Sequence, residues 1–128
     1  MKKGGILNAD LSYGLARLGH GQWVFITDAG MPLPSKGPQV VDLALVFGVP
    51  RFTQVLDAVL AEIVVQEAVM ADEAAGTEVE NWLVQRRLDP RRVSHAQLKQ
   101  WLPDASLIIR TGEATPFANV RLTCGVPF

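Results

Sequence analysis

Three short strings hold most of the residues that could do chemistry: residues 18–21 around His20, residues 26–30 around Asp28, and residues 110–119. Histidine changes charge near neutral pH, so it can give and take protons, and the glycines on either side leave His20 sterically open. Asp28 follows eight residues later at the end of an apolar run and brings a carboxylate that accepts several hydrogen bonds. The third string gathers Arg110, Glu113, Thr115 and Asn119 around Gly112 and Pro116, a concentration of hydrogen-bonding groups of the kind found where ligands bind. Together they point to a site for a small polar molecule. The second histidine, His95, follows Ser94, which suits the start of a helix.

Each of these residues also has a plainer use. Asp28, before Ala29-Gly30, can hold the N–H groups of its own turn. Arg110 and Glu113 can pair with each other, and His95 can be an ordinary first-turn residue. Other chemistries lack their residues. No second glycine or phosphate-loop lysine follows Gly112, so it does not start a nucleotide loop. No serine sits in a nucleophile elbow, which excludes a hydrolase triad built on His20, Asp28 and Ser35. Cys124 is the lone cysteine, so no disulfide framework or structural zinc site is expected.

Composition narrows the class further. With 128 residues and 48% hydrophobic content, the chain suits one domain, residues 1–128, with a real core. Twelve basic residues nearly balance thirteen acidic ones, which argues against a nucleic-acid partner. Residues 55–71 are apolar, but Asp57, Glu62, Gln66 and Glu67 interrupt them, so no membrane span is expected. Lys2 and Lys3 precede no signal-length apolar run, and a cytoplasmic protein is expected.

The elements that position these strings follow from local patterns. Asn8 can cap a helix over residues 9–18, with leucines at helical spacing and Gly19 ending it. Residues 23–27 read as a strand and residues 31–38, with three prolines, as a fixed loop. A strand over 40–46, a helix opened by Pro50, a strand over 63–71 and a helix over 73–88 follow. Ser94 caps a helix through Trp101, and residues 106–109 and 120–123 read as strands. Alternating strands and helices predict an α/β fold with some parallel pairing, in which ligands gather beyond the carboxyl ends of the strands.

The strings then resemble, nearly end to end, the D-ribose pyranases, sugar mutarotases related to the fucose mutarotases. The resemblance rests on MKKGGILNADLS, LGHG, ITDAGMPLP, GVPRFTQVLDAVLAE, SHAQLKQ and IIRTGEATPFANVRLTCGVPF, in that order. It implies a single-domain, three-layer Rossmann-like fold with a mixed, partly parallel sheet. It also implies ring-shaped homo-oligomers, typically decamers, to which three tryptophans and five phenylalanines lend support as contact surface. His20 falls on the catalytic proton donor, Asp28 and His95 on sugar-binding positions, and Phe117, Ala118 and Asn119 on a Tyr-Ala-Asn binding segment. Phenylalanine at the first of these removes a phenolic hydroxyl. The region between Asp72 and Arg92 also looks shorter than in most relatives. The implied activity is interconversion of the pyranose and furanose forms of D-ribose, which needs no metal and no cofactor. Two other readings stand beside it: a mutarotase for another neutral sugar such as fucose, and an accessory protein of a sugar-uptake system that binds sugar without turning it over.

Overall fold

The computed structural model describes residues 1–128. Its first helix, α1 (Ala9–Ala16), starts where the Asn8 side chain accepts the Leu11 N–H at 2.9 Å, and it buries Leu11 and Leu15. Strands β1 (Trp23–Thr27) and β2 (Gln39–Asp42) flank the proline-rich loop. The second strand is shorter than its valine run suggests. The Ala44 N–H turns back onto Asp42 Oδ1 at 3.0 Å, and Val46 then bridges Val49 in a tight loop of its own. Helix α2 (Phe52–Leu60) begins two residues after Pro50, because Arg51 is still extended and acts as the cap residue.

Strand β3 (Val65–Ala71) leads into a single 3₁₀ turn at Asp72–Ala74 and then helix α3 (Glu78–Gln85). The continuous helix expected over residues 73–88 is therefore broken. Gly76, at φ 72°, ends the turn, and Thr77 restarts the chain as a cap by accepting the Val79 N–H. A short edge strand, β4 (Arg91–Val93), has no counterpart in the sequence reading. Ser94 does open helix α4 (His95–Trp101), accepting the Gln97 N–H at 3.1 Å. Strands β5 (Leu107–Arg110) and β6 (Val120–Cys124) complete the chain.

The six strands form one sheet in the order β2-β5-β1-β6-β3-β4. Pairing is parallel between β2 and β5, β5 and β1, and β3 and β4, whereas β6 runs antiparallel to both β1 and β3. Side chains alternate across the sheet and divide the core in two. Val24, Ile26, Met70, Leu107 and Leu122 pack with residues of α1, α2 and α3 on one face, while Phe25, Val69 and Ile108 pack with Leu98 of α4 on the other. The result is the three-layer α/β arrangement with a mixed sheet. The end of α4 is seated by the buried Arg121, whose guanidinium lies 4.3 Å from the Trp23 ring and 4.8 Å from the Trp101 ring and pairs with Glu67. No helix is long and apolar enough to cross a membrane.

Strand direction decides what meets what. Strands β1 to β5 all point the same way, so the loops after them share one edge of the sheet. Because β6 runs in reverse, the residues before it reach that same edge. His20 precedes β1 and lies at the opposite edge, where Gly21 donates its N–H to the Cys124 carbonyl at 2.8 Å.

Candidate active site at the carboxyl edge of the sheet

Asp28 leaves the end of β1 half-buried and is held by a reciprocal pair of bonds. Its N–H donates to Asn119 Oδ1 at 2.9 Å, and Asn119 Nδ2 donates back to Asp28 Oδ2 at 2.8 Å. The Gly30 N–H reaches Asp28 Oδ1 at 3.0 Å and closes the turn. Asn119 is fully buried just before β6, so its amide fixes the carboxylate while the carboxylate keeps lone pairs for a ligand.

Phe117 and Ala118 complete this wall. Phe117 adopts φ 61°, a conformation uncommon for a non-glycine residue, and the fully buried Ala118 anchors the turn in the core. The turned-out Phe117 ring meets His95 edge-on, with centroids 5.2 Å apart at 80°. His95 is held through its N–H, which donates to Glu73 Oε2 at 2.9 Å, and its Nδ1 is buried without a hydrogen-bond partner. A buried ring nitrogen left without a partner is a group that calls for a further hydrogen bond. Glu73 is itself held below the usual carboxylate range by N–H groups, first its own and then that of His95.

His20 stands apart from these five residues. It is exposed, and its Nε2 lies 2.8 Å from Gln66 Oε1 near the start of β3. The five steps from Trp23 to Asp28 span about 17 Å of extended chain. Within one chain Asp28 therefore does not orient His20, and Gln66 does so instead.

The ion pair considered between Arg110 and Glu113 does not form. Arg110 instead holds the Ala29 carbonyl through Nε and Nη2, at 3.0 and 2.8 Å, and pairs with Asp42 at 2.8 Å. Glu113 is 2% exposed and pairs with Arg51 at 3.0 Å. Burial alone would raise its pKa, but hydrogen bonds from the Phe52 N–H and from Thr115 outweigh that and lower it. The sign follows: Glu113 contributes stability that is present above its ordinary value of 4.5 and is lost as the pH falls through the lowered folded value. Urea midpoints of the wild type and Glu113→Gln should therefore converge on acidification, and a gap that is constant from about pH 7 to about pH 3 would contradict this.

A cleft of about 260 Å³ opens beside Asp28, between Phe47 and Pro116 and over Glu113. A larger polar cavity, about 440 Å³, lies at the opposite edge among Arg17, Gln22, Gln39 and Ser106, away from the Asp28–Asn119 pair. No three His, Cys, Asp or Glu side chains converge as metal ligands. Burial pushes the Cys124 thiol up, which makes it a poor nucleophile. The carboxyl edge thus presents directional hydrogen-bonding groups beside an aromatic ring, which suits a neutral polyhydroxylated molecule. Gln66 and Glu73, the partners of the two histidines, carried no local signal, because each acts across a sequence gap that only the sheet closes.

The sequence matches the RbsD / FucU transport protein family over residues 1–127. A D-ribose pyranase of Cutibacterium acnes is 51% identical over 128 residues, and one of Streptomyces coelicolor is 51% identical over 130, each alignment covering all of both chains. The structure of Bacillus subtilis RbsD complexed with D-ribose superposes with a TM-score of 0.91 at 38% identity, covering 100% of both chains. The fucose mutarotase of Streptococcus pneumoniae shares the fold, with a TM-score of 0.82 at 19% identity over 95% of each chain. The match over nearly the whole chain and the three-layer α/β architecture agree, and the chain belongs to the RbsD / FucU transport protein family.

Proposed function

We propose that this protein is a D-ribose pyranase, an isomerase that interconverts the pyranose and furanose rings of D-ribose by general acid–base ring opening and closure. The observation that carries the reading is the full-length identity, 51%, to a protein of that name. The groups at the carboxyl edge fit a neutral monosaccharide, and Bacillus subtilis RbsD was solved with D-ribose.

Ring opening needs a proton on the ring oxygen and loss of the proton from the anomeric hydroxyl. The bond between the anomeric carbon and the ring oxygen then breaks to give the open aldehyde. Rotation brings another hydroxyl to that carbon, and the reverse proton transfers close the new ring. His20 is the proton donor, and Asp28, His95 and Asn119 hold sugar hydroxyls, with Phe117 and the backbone at Ala118 forming the wall. Asp28 and His20 lie at opposite edges of one protomer, so the active site is completed by the His20 of a second copy. A homo-oligomer, in the ring-shaped decameric form of the family, meets this need, and the exposed Leu45, Val46 and Phe47 supply apolar contact surface. The protein works in the cytoplasm on free sugar.

Exchange NMR on equilibrated D-ribose tests the reading. Magnetisation transfer between pyranose and furanose anomeric protons should accelerate in proportion to added protein. Protein resonances that shift with ribose while exchange stays at the uncatalysed rate would leave a binding protein instead of an enzyme.

A mutarotase for another neutral sugar, fucose included, is favoured by one observation. Phe117 packs its ring nearly perpendicular to that of His95 and carries no hydroxyl. Phe117→Tyr should lower the KM for D-ribose by about 3-fold, the worth of one modest hydrogen bond. Wild type that accelerates fucose exchange while ribose exchange stays at the uncatalysed rate would turn the assignment to the other sugar.

A further inference from the structure

We propose that Glu113 is the positioning residue of this site: its buried carboxylate and main chain together set the spacing between the Asp28 turn and the Phe117–Asn119 segment. The inference rests on the pyranase reading and adds a residue whose carboxylate oxygens are engaged by the protein's own donors. Two segments distant in sequence, and the turn that directly follows it, converge on Glu113. Its backbone carbonyl accepts the Ala29 N–H at 2.9 Å, which fixes the turn carrying Asp28. Its Oε1 accepts the Thr115 hydroxyl at 2.9 Å and the N–H groups of Ala114 and Thr115 at 3.2 Å, which fixes the turn leading into Phe117. Its Oε2 accepts the Phe52 N–H at 3.1 Å and the Arg51 Nε–H at 3.0 Å, which ties both turns to the first residues of α2.

The geometry exceeds what a helix cap or surface ion pair requires. A cap needs one oxygen, and Oε2 serves that purpose alone. Oε1 faces the other way and is committed to the turn before Phe117, two residues from the backbone that must hold φ 61°. If that oxygen stops accepting, the Thr115 turn is free to shift while the Asp28 turn stays with the main chain. The distance between the two sides of the sugar site then changes. Sugar affinity should suffer, whereas proton transfer by the His20 that a second copy supplies, which hydrogen-bonds to neither turn, should not.

The test compares Glu113→Gln, Thr115→Val and Arg51→Ala with the wild type in three readouts: thermal midpoint, D-ribose Kd by NMR titration, and the split of kcat and KM from exchange NMR. Glu113→Gln should raise Kd and KM by about 10-fold, the scale of a lost hydrogen bond to a charged group, with kcat changed by less than about 3-fold. Thr115→Val, which removes only the hydroxyl donor, should raise KM by about 3-fold with a thermal midpoint close to wild type. Arg51→Ala, at a half-exposed side chain, should leave KM unchanged. A lower midpoint in Glu113→Gln with wild-type Kd and KM would overturn the inference and leave Glu113 a structural anchor. Should Glu113→Gln fail to fold, Thr115→Val decides, with a raised KM supporting the inference and an unchanged one overturning it. Wild type that neither binds nor turns over D-ribose would remove the pyranase reading and this inference with it, whereas active wild type with unaltered variants would remove the inference alone.

Discussion

His20→Ala should slow protein-catalysed exchange of D-ribose ring forms by about 100-fold or more, because a positioned general acid contributes roughly 10² to 10⁴ in rate. Fold and sugar affinity should change little. His20 is exposed, its one side-chain bond is to Gln66, and within its own chain the sugar-holding residues lie at the other edge of the sheet, so its loss disturbs neither the core nor the Asp28–Asn119 pair. The same separation gives a sharper result. His20→Ala and Asp28→Asn oligomers should each be nearly inactive, but subunits mixed by unfolding and reassembly should recover about a quarter of wild-type activity, since random pairing restores intact sites between unlike copies. Mixed oligomers no more active than their parents would place His20 and Asp28 of the same chain in one site, or remove His20 from the reaction. A His20→Ala protein with full activity would do the latter directly.

Gly112→Ala should lower the thermal midpoint by about 10 °C, which corresponds to roughly 3 kcal/mol in a chain of this size. The reason is contact, not backbone angle. A Cβ on Gly112 would overlap the Val49 carbonyl oxygen and lie 2.5 Å from that of Val46 and 2.6 Å from the Val49 carbonyl carbon. These are main-chain atoms that cannot swing aside as a long side chain would. The loop they belong to closes over Gly112 through two further bonds, from the Gly48 N–H to the Gly112 carbonyl at 2.6 Å and from the Gly112 N–H to the Pro50 carbonyl at 2.9 Å. Moving the loop away breaks these bonds and shifts Phe47, which borders the cleft beside Asp28. Sugar affinity should fall with stability. Melting both proteins at equal concentration checks the first claim, since oligomer midpoints depend on concentration. A midpoint within about 2 °C of wild type would show that the loop yields without cost.

Elements with their own chemical start and stop signals were legible in the sequence. Asn8 and Ser94 cap α1 and α4 as their types suggest, β1 coincides with its apolar run, and β6 covers the expected residues 120–123 and adds Cys124. Reading failed where a short-range feature overrode a pattern. Asp42 ends β2 by capturing the Ala44 N–H in the middle of an apolar stretch. Gly76 and Thr77 divide what periodicity joined into one helix. Strand β4 is three residues long and largely exposed, so it has neither the length nor the alternation to announce itself, and it exists because β3 offers an edge.

The site divides along the same line. The residue types at 26–30 and 110–119, and the turns that present them, follow from local sequence, because capping, turn propensity and apolar runs act over a few residues. Which of those turns face each other was not local. Asn119 meets Asp28 because β6 is antiparallel to β1, and His95 joins them because β4 is parallel to β3. Glu113 takes Arg51 as its partner in place of the nearby Arg110 because α2 starts above its carboxylate, while Arg110 is drawn to Asp42 by the pairing of β5 with β2. His20, only eight residues before Asp28 in sequence, lies at the far edge because the chain between them is extended. The chemical groups and the local conformations that carry them are properties of short stretches of chain. Which groups share an edge is a property of the whole sheet, since strand order and direction arise from packing among residues far apart in the chain.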